Sequence, residues 1–138
     1  MVVSMFSHDH AEPLAEVECQ DLLASMNVGR LSLTINALPV IVPVTYWYLG
    51  GSVVLSMSDG PAHHAAVANV VALEIDDTNL DHVLWAVLVI GPAVEITHPA
   101  ERAEAERLGL AVSSGTTPAH YLKLQPDIIS GYRTSDRS

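Results

Sequence analysis

The sequence predicts a small α+β domain in which mainly antiparallel strands close into a barrel. Runs of alternating or β-branched apolar residues follow one another through short turns, which is typical of an antiparallel meander and unlike a parallel doubly wound sheet. One helical segment precedes these strands, and two shorter helical segments are inserted among them. We therefore expect about six strands, and closing them into a barrel removes unpaired edges.

The first predicted element is a helix from Pro13 to Met26. Cys19, Leu22 and Leu23 recur with Met26 at helical spacing. Proline suits the first turn of a helix, where its missing N–H costs no hydrogen bond. We expect the helix to end at 27–29.

A three-stranded meander is predicted next. Polar and apolar residues alternate over 30–35, as in a half-buried strand. A turn at 36–39 leads to an apolar and aromatic strand at 40–49. Gly50-Gly51 is a strong hairpin signal and connects this strand to a third one at 52–57.

The rest of the chain alternates short helices with strands. After a break at 58–61, the predicted elements are a helix at 62–68, a strand at 70–75, a long strand at 83–96, a helix at 100–110 that Pro99 opens, a loop at 113–118, and a closing strand made of 120–125 and 128–132. Gly91-Pro92 interrupts the long strand, so we expect a bulge or bend there.

The length of 138 residues fits one domain. We assign residues 12–133 to that domain, residues 1–11 to a flexible arm and residues 134–138 to a polar tail. Hydrophobic residues make up 49% of the chain and charged residues only 16%. A small chain of this composition has few charged residues to cover its surface, which favours a subunit interface. We expect a homodimer, because two-fold dimers are the commonest assembly.

The charge balance argues against nucleic acid and anionic membranes as partners. The formal net charge is −10, from 16 acidic and 6 basic residues. Affinity for phosphate backbones depends on clustered positive charge, which this chain lacks. The lone Cys19 cannot form an intramolecular disulfide, the N-terminus has no basic flank of a signal peptide, and the apolar run at 83–90 has strand length. We therefore expect a cytoplasmic protein that binds a small molecule.

Several segments, in order, carry a family pattern: 29–32 (GRLS), 39–46 (PVIVPVTY), 50–55 (GGSVVL), 72–76 (ALEID), 85–91 (WAVLVIG) and 121–131 (YLKLQPDIISG). Their order and spacing resemble the pyridoxamine 5′-phosphate oxidase-like family, over nearly the whole chain. The resemblance implies a six-stranded split barrel of the FMN-binding type. It also implies a dimer that holds a flavin, or in some branches a deazaflavin, in clefts between its subunits.

The resemblance also assigns residues to the cofactor. The flavin ring would lie against the second strand of the meander, and the ribityl phosphate near the end of the third strand and the start of the next helix. Trp85 is assigned because its strand borders the cleft in this family. The assigned residues are Val42, Pro43, Val44, Thr45, Ser56, Met57, Ser58, His63, His64 and Trp85.

The phosphate end of this site departs from the family pattern. A lysine that contacts the phosphate is usual there, and this chain has Ala62, His63 or His64 at that position, depending on the alignment. A neutral histidine donates one hydrogen bond and becomes a cation only near or below about pH 6.5. Asp59 adds repulsion. The phosphate should therefore be held more weakly than in typical members.

These residues leave several functions open. The first is an FMN-dependent oxidoreductase of unknown substrate, with no residue marked as a catalytic acid or base. The second is a non-enzymatic split barrel that has lost its flavin, and the third a deazaflavin- or haem-binding relative. His63 and His64 project in different directions from a helix, so together they make a poor metal site, and no metal is predicted. Arg30 is expected to pair with acids of the first helix, or else to reach an anion across the dimer.

Overall fold

The computed structural model describes residues 11–109 and 120–134, which form eight strands in one sheet and three helices. In chain order the elements are β1 (Ala11–Pro13), α1 (Glu16–Ser25), β2 (Val28–Ile35), β3 (Leu38–Leu49), β4 (Ser52–Met57), α2 (Pro61–Ala66), β5 (Val70–Thr78), β6 (Val83–Glu95), α3 (Pro99–Arg107), β7 (His120–Leu124) and β8 (Ile128–Thr134).

The sheet closes into the predicted α+β barrel. The strand order is β1-β8-β6-β5-β2-β3-β4-β7. In addition, β7 pairs with β6, and this pairing closes the strands from β6 to β7 into a ring. Six strands therefore form the ring, while β8 and β1 extend the sheet outward from β6. The strand ladders of the described residues are all antiparallel, as the short turns predict.

The long strand β6 holds the barrel together because it changes partners along its length. Its earlier part lies between β5 and β8, and residues 93–95 pair with β7. The expected bulge at Gly91-Pro92 is wrong: both residues continue the β5 register, and the irregularity lies at Asp77/Thr78. Glycine is needed at position 91 for another reason. A Cβ there would lie 1.8 Å from the carbonyl oxygen of Gln125, where the chain passes from β7 to β8.

The predicted start of the first helix is also wrong. Pro13 pairs with Tyr132 in β1, and α1 begins only at Glu16. The backbone N–H of Ala15 donates to Oε1 of Glu18 (3.1 Å), which closes the first turn. The helix ends at Ser25, and 28–29 already belong to β2. A strand of three residues is too short to show alternation, so the sequence pattern missed β1.

The hairpin turns follow local residue chemistry. Gly50 and Gly51 have φ of 61° and 81°, as the predicted tight turn requires. The preceding turn is shorter than expected, because only Asn36 and Ala37, with φ of 50° and 65°, lie outside β2 and β3. The predicted closing strand is two strands with different partners: β7 pairs with β4 and β6, and β8 pairs with β6 and β1.

The barrel interior is the hydrophobic core. Its fully buried side chains include Leu31, Leu55, Leu73, Ile75, Val87, Val89, Leu122 and Leu124. Helix α1 is attached to this core by Leu23 and Cys19, and the hydroxyl of buried Tyr46 donates to the Leu23 carbonyl (2.7 Å). Burial raises the pKa of the Cys19 thiol, so the thiol stays protonated, as expected for an inert core cysteine.

The described parts of the chain include no helix with the length and apolar character needed to cross a bilayer. Most of the predicted arm, residues 1–10, and most of the tail, 135–138, lie outside the described residues, as does the predicted loop at 113–118. The two described ends, Ala11 and Thr134, pair with each other across β1 and β8.

Candidate functional site

A cavity of about 220 Å³ opens beside the first half of β3. It is lined by Val42, Pro43, Val44, Ser56, Met57, Ser58, Asp59, Gly60, Pro61 and Ala62. These residues come from β3, the end of β4, the loop that follows it and the first turn of α2. The cavity therefore lies between the two segments that the sequence assigns to the ring and the phosphate of a flavin.

The wall of this cavity is a strand with one free edge. β3 pairs with β2 over residues 38–45, but β4 pairs with β3 only from Thr45 to Leu49. Along 42–44 the edge of β3 on the β4 side is therefore left unpaired by the strands of the described chain. Pro43 lies in this stretch, and proline in a sheet is tolerated at such edges. The unpaired edge offers backbone polar groups to a flat ligand.

The lining of the cavity is mainly apolar, with a few polar residues and no positive charge. The hydroxyls of Thr45 and buried Ser56 are 2.6 Å apart and share a hydrogen bond. Ser58 and Asp59 follow at the rim, and none of the described residues that line the cavity is a lysine or arginine. The site therefore has hydroxyls and a carboxylate where an anionic ligand group would need a cation.

Six of the ten sequence-assigned residues line the cavity, namely Val42, Pro43, Val44, Ser56, Met57 and Ser58. Thr45 does not line the cavity, but its hydroxyl contacts that of Ser56. His63, His64 and Trp85 do not line the cavity: His63 is buried, the His64 side chain is 74% exposed, and Trp85 packs against the barrel core. Among the three candidates for the family's lysine position, Ala62 is the one that lines the cavity. Contact of these residues with a cofactor stays a prediction.

A second cavity, of about 330 Å³, lies between the β3–β4 hairpin and α3. Its charged lining residues, Glu101 and Lys123, already pair with each other at 2.6 Å. It contains none of the residues assigned to a cofactor from the sequence.

Next to the first cavity, four side chains form a cluster that we call the histidine–carboxylate cluster: Asp59, His63, Glu95 and His120. The Nε2–H of His63 donates to Oε1 of Glu95 (2.5 Å), and the Nδ1–H of His120 donates to its Oε2 (2.6 Å). The two imidazole rings stack at 3.5 Å between centroids and 12° between planes. His120 Nε2 lies 3.2 Å from Oδ1 of Asp59.

Barrel closure creates this cluster. Glu95 ends β6 and His120 begins β7, and the pairings of β7 with β4 and β6 bring both beside the end of β4. A bridge between Val67 and Ala93 then attaches the end of α2 to β6. Glu95 and His120 were missed by the sequence analysis, because no local pattern links residues on separate strands.

The hydrogen bonds within the cluster shift the pKa values of Glu95 and His120 in opposite directions. Burial raises the pKa of Glu95, but the hydrogen bonds from His120 and His63 outweigh it and hold that pKa below its usual value. For His120, burial lowers the pKa, and the hydrogen bonds to Glu95 and Asp59 overcome it, so the net shift is upward. His63 is only 6% exposed, and its Nδ1 has no hydrogen-bond partner among the described residues.

A second group, which we call the arginine–carboxylate cluster, lies on β2 and β5. Arg30 contacts Glu74 at 2.6 Å and Asp76 at 2.7 Å, so its expected pairing with acids of the first helix is wrong. The cause is strand register, because Arg30 lies directly opposite Glu74. Burial, and then the hydrogen bond with Asp76, raise the pKa of Glu74 to about 7 against the opposing effect of Arg30.

A closed six-stranded barrel with a cavity at the free edge of its second meander strand defines the split-barrel class. The sequence model of the pyridoxamine 5′-phosphate oxidase family matches residues 15–133, and the chain belongs to this family. An uncharacterized protein of Mycobacterium tuberculosis is 32% identical over 126 residues, which cover 84% of this chain and 80% of that protein.

Solved structures share the fold. A FAD-binding protein from Mycobacterium smegmatis is 31% identical, with a TM-score of 0.75, and the match covers 88% of this chain and 97% of that one. A FAD-binding protein from Mesorhizobium loti matches with 20% identity and a TM-score of 0.74, covering 91% and 98%. A FAD- and haem-binding protein from M. smegmatis matches with 17% identity and a TM-score of 0.70, covering 94% and 75%.

Proposed function

We propose that this chain is a flavin-binding protein that works as an oxidoreductase, with the flavin ring against residues 42–44 of β3. The observation that carries this proposal is the unpaired edge of β3 beside a mainly apolar cavity that Ser56 and Ser58 also line. A flavin ring is flat and has hydrogen-bond donors and acceptors along its rim, so a free backbone edge suits it. A bound flavin would supply the hydride or electron-transfer chemistry, and the protein would supply orientation.

The relatives support a flavin but leave its form to experiment. The sequence predicts FMN from the family resemblance, whereas the M. smegmatis relative that is 31% identical binds FAD. We therefore propose a flavin nucleotide, FMN or FAD, bound in the same cavity. The buried thiol of Cys19 fits the reducing cytoplasm that we propose as its location.

The phosphate end of the flavin should be held weakly. Ala62 lines the cavity where the family has lysine, and Asp59 places a carboxylate at the rim. Helix α2 has six residues and opens with Pro61, which has no N–H to offer an anion. Ser58, which is exposed at the rim, is left as a hydroxyl donor on that side, because the buried Ser56 hydroxyl is hydrogen-bonded to Thr45.

A homodimer would complete the site. The cavity of one chain, about 220 Å³, is smaller than the roughly 300–1,000 Å³ of pockets that enclose drug-sized ligands. Ile41 and Pro43 lie on the same outward face of β3 and are exposed, Ile41 to 68%, which favours a covering apolar surface. We propose that a second copy provides it. Light scattering at several protein concentrations should give the mass of two chains, and a monomer at all concentrations would contradict this proposal.

The decisive measurement is the absorption spectrum of tag-free protein from its native host. We expect a flavin spectrum, with the flavin released on denaturation and identified as FMN or FAD by chromatography. A haem band, or the shifted band of a deazaflavin, would replace the proposed cofactor with one of the alternatives. Protein that is colourless and takes up neither flavin contradicts the proposal and supports a non-enzymatic split barrel.

A matched pair of lysine variants tests the position of the phosphate. Ala62→Lys places an ammonium group at the cavity wall and is expected to tighten flavin binding about tenfold, the effect of one charge-assisted hydrogen bond. His64→Lys adds the same charge on the exposed face of α2 and should change affinity much less. Fluorescence titration of the apo-protein measures both. Equal gains in the two variants would indicate general charge attraction instead of a phosphate at Ala62.

A further inference from the structure

We propose that His120 controls how well the cavity accepts an anionic ligand group, by holding a proton that neutralises Asp59. Asp59 lines the cavity. His120 does not, but its Nε2 lies 3.2 Å from Oδ1 of Asp59. This inference rests on the proposed flavin site, because the flavin phosphate is the anionic group concerned, and it identifies the residue that makes phosphate binding depend on pH.

The hydrogen bonds of His120 require one more proton than a neutral imidazole carries. Glu95 accepts from His63 Nε2 and from His120 Nδ1, at 2.5 and 2.6 Å, because an ionised carboxylate can only accept. The single N–H of a neutral His120 is therefore used by Glu95. A hydrogen bond between His120 Nε2 and the Asp59 carboxylate then needs a second proton. Imidazole is the stronger base of the two, so this proton belongs to His120.

Of the two stacked histidines, only His120 has a place for the extra proton. The rings are 3.5 Å apart with 12° between their planes, so two imidazolium charges would repel each other at short range. His63 is only 6% exposed, and a proton on its Nδ1 would be a buried donor with no acceptor among the described residues. His120 is more exposed and has Asp59 as an acceptor.

The groups around His120 set the sign of the pH dependence. In the described chain, Asp59 contacts it from the loop before α2, His63 from α2 and Glu95 from β6, while His64 lies 3.9 Å from Asp59. With His63 neutral, protonation of His120 changes the net charge of the cluster from −2 to −1. Burial lowers the pKa of His120, but the hydrogen bonds to Glu95 and Asp59 outweigh it, so the change lies above the ordinary value of about 6.5. Affinity for an anion should therefore fall as pH rises through this region.

The test compares FMN with riboflavin, which lacks only the phosphate, in fluorescence titrations of the tag-free apo-protein. The window runs from about pH 6.5 to about pH 8.5, where a phosphate monoester with a second pKa of about 6 is mainly dianionic. We expect FMN affinity to fall about tenfold across this window, the effect of one charge-assisted contact, and riboflavin affinity to change little. An FMN affinity that changes no more than that of riboflavin would overturn the proposal.

Two variants should remove the pH dependence in opposite directions. Asp59→Asn removes the repelling charge, so FMN should bind at alkaline pH as tightly as at the acid end. His120→Gln cannot take up the proton, so FMN should bind throughout as weakly as it binds the parent at alkaline pH. His82→Gln changes an exposed histidine at the opposite end of β6 from Glu95 and should keep the parental dependence. A dependence that survives both cluster variants, or that is lost only in His64→Gln, would overturn the assignment to His120.

A readout without flavin separates this proposal from the proposed function. In NMR titrations of the ligand-free protein, the imidazole signals of His120 should have a midpoint above the ordinary histidine value, and Asp59→Asn should lower it. If neither flavin binds at any pH, the proposed function fails, and inorganic sulfate, whose charge is constant in this window, replaces FMN as the probe. Sulfate should shift the amide signals of Ser58 and Gly60 more at the acid end than at the alkaline end. An unchanged His120 midpoint in Asp59→Asn, or sulfate shifts that do not depend on pH, would contradict the proposal.

Discussion

The two carboxylate clusters of this barrel are neutralised in different ways. The arginine–carboxylate cluster joins Glu74 and Asp76 to the permanent charge of Arg30. The histidine–carboxylate cluster joins Glu95 and Asp59 to two imidazoles, which carry a charge only when they are protonated. In a chain with net charge −10, lysine and arginine are scarce, and the histidine–carboxylate cluster contains neither.

The difference appears in the pKa directions. Even beside Arg30, burial and the neighbouring Asp76 raise the pKa of Glu74 to about 7. The pKa of Glu95 shifts downward, because the hydrogen bonds from His120 and His63 outweigh the effect of its burial. The opposite directions have two causes: burial of Glu74 and its hydrogen bond with Asp76 outweigh Arg30, whereas the two histidine hydrogen bonds outweigh the burial of Glu95.

The largest expected effect comes from Glu95→Gln. An amide offers one acceptor oxygen, so one of the two imidazole N–H groups of His63 and His120 then faces an NH₂ group. We expect the free energy of unfolding to fall by about 2 kcal/mol, the cost of a part-buried donor without a partner. Urea unfolding at neutral pH measures the loss. Glu101→Gln, which breaks the exposed pair with Lys123, is the control and should cost clearly less, because solvent screens an exposed pair. Equal losses would show that the Glu95 hydrogen bonds add nothing beyond a surface pair.

A smaller effect is expected from Arg30→Met, which keeps the apolar stem and removes the guanidinium. Glu74 and Asp76 then face each other without a cation. We expect a loss of about 1 kcal/mol in unfolding free energy under alkaline conditions, because the Arg30 side chain is 46% exposed and its pairing is screened by solvent. The loss should shrink in mild acid, where Glu74 takes up a proton. Arg133→Met removes the more exposed pair with Glu18 and serves as the control. A loss that does not change with pH would argue against repulsion between the two acids.

Much of the fold was predictable because its signals are local. The alternation over 30–35 and the Gly50-Gly51 turn specify strands and a hairpin from neighbouring residues. The boundaries that failed depend on distant contacts. Pro13 is extended because it pairs with β8. Gly91 lies within β6 because the backbone at Gln125 packs so closely against it that no side chain would fit.

The candidate sites show the same difference between local sequence signals and distant contacts. The resemblance assigns the contiguous segment 42–45 to a flavin ring, and residues 42–44 of that segment line the cavity, while their contact with a cofactor stays a prediction. The partners of Arg30 and His63 were not predictable, because Glu74 and His120 reach them through strand register and barrel closure. A single sequence contains the residues of such clusters but not the pairing that brings them together.

The smallest expected effect, and the finest test of the comparison, is the pH dependence removed by Glu74→Gln. The pKa of Glu74 is raised from 4.5 to about 7 in the folded chain. The folded state therefore holds more protons than the unfolded state within that window, and stability falls as pH rises through it. The slope cannot exceed about 1.4 kcal/mol per pH unit for one proton, and partial exposure of Glu74 makes it smaller. Urea unfolding across the window should show a flatter dependence in Glu74→Gln than in the parent. Asp77→Asn, an exposed change on the same strand, should keep the parental slope. If Glu74→Gln keeps the parental slope as well, the guanidinium of Arg30 holds both carboxylates ionised, and the two clusters do not differ as described.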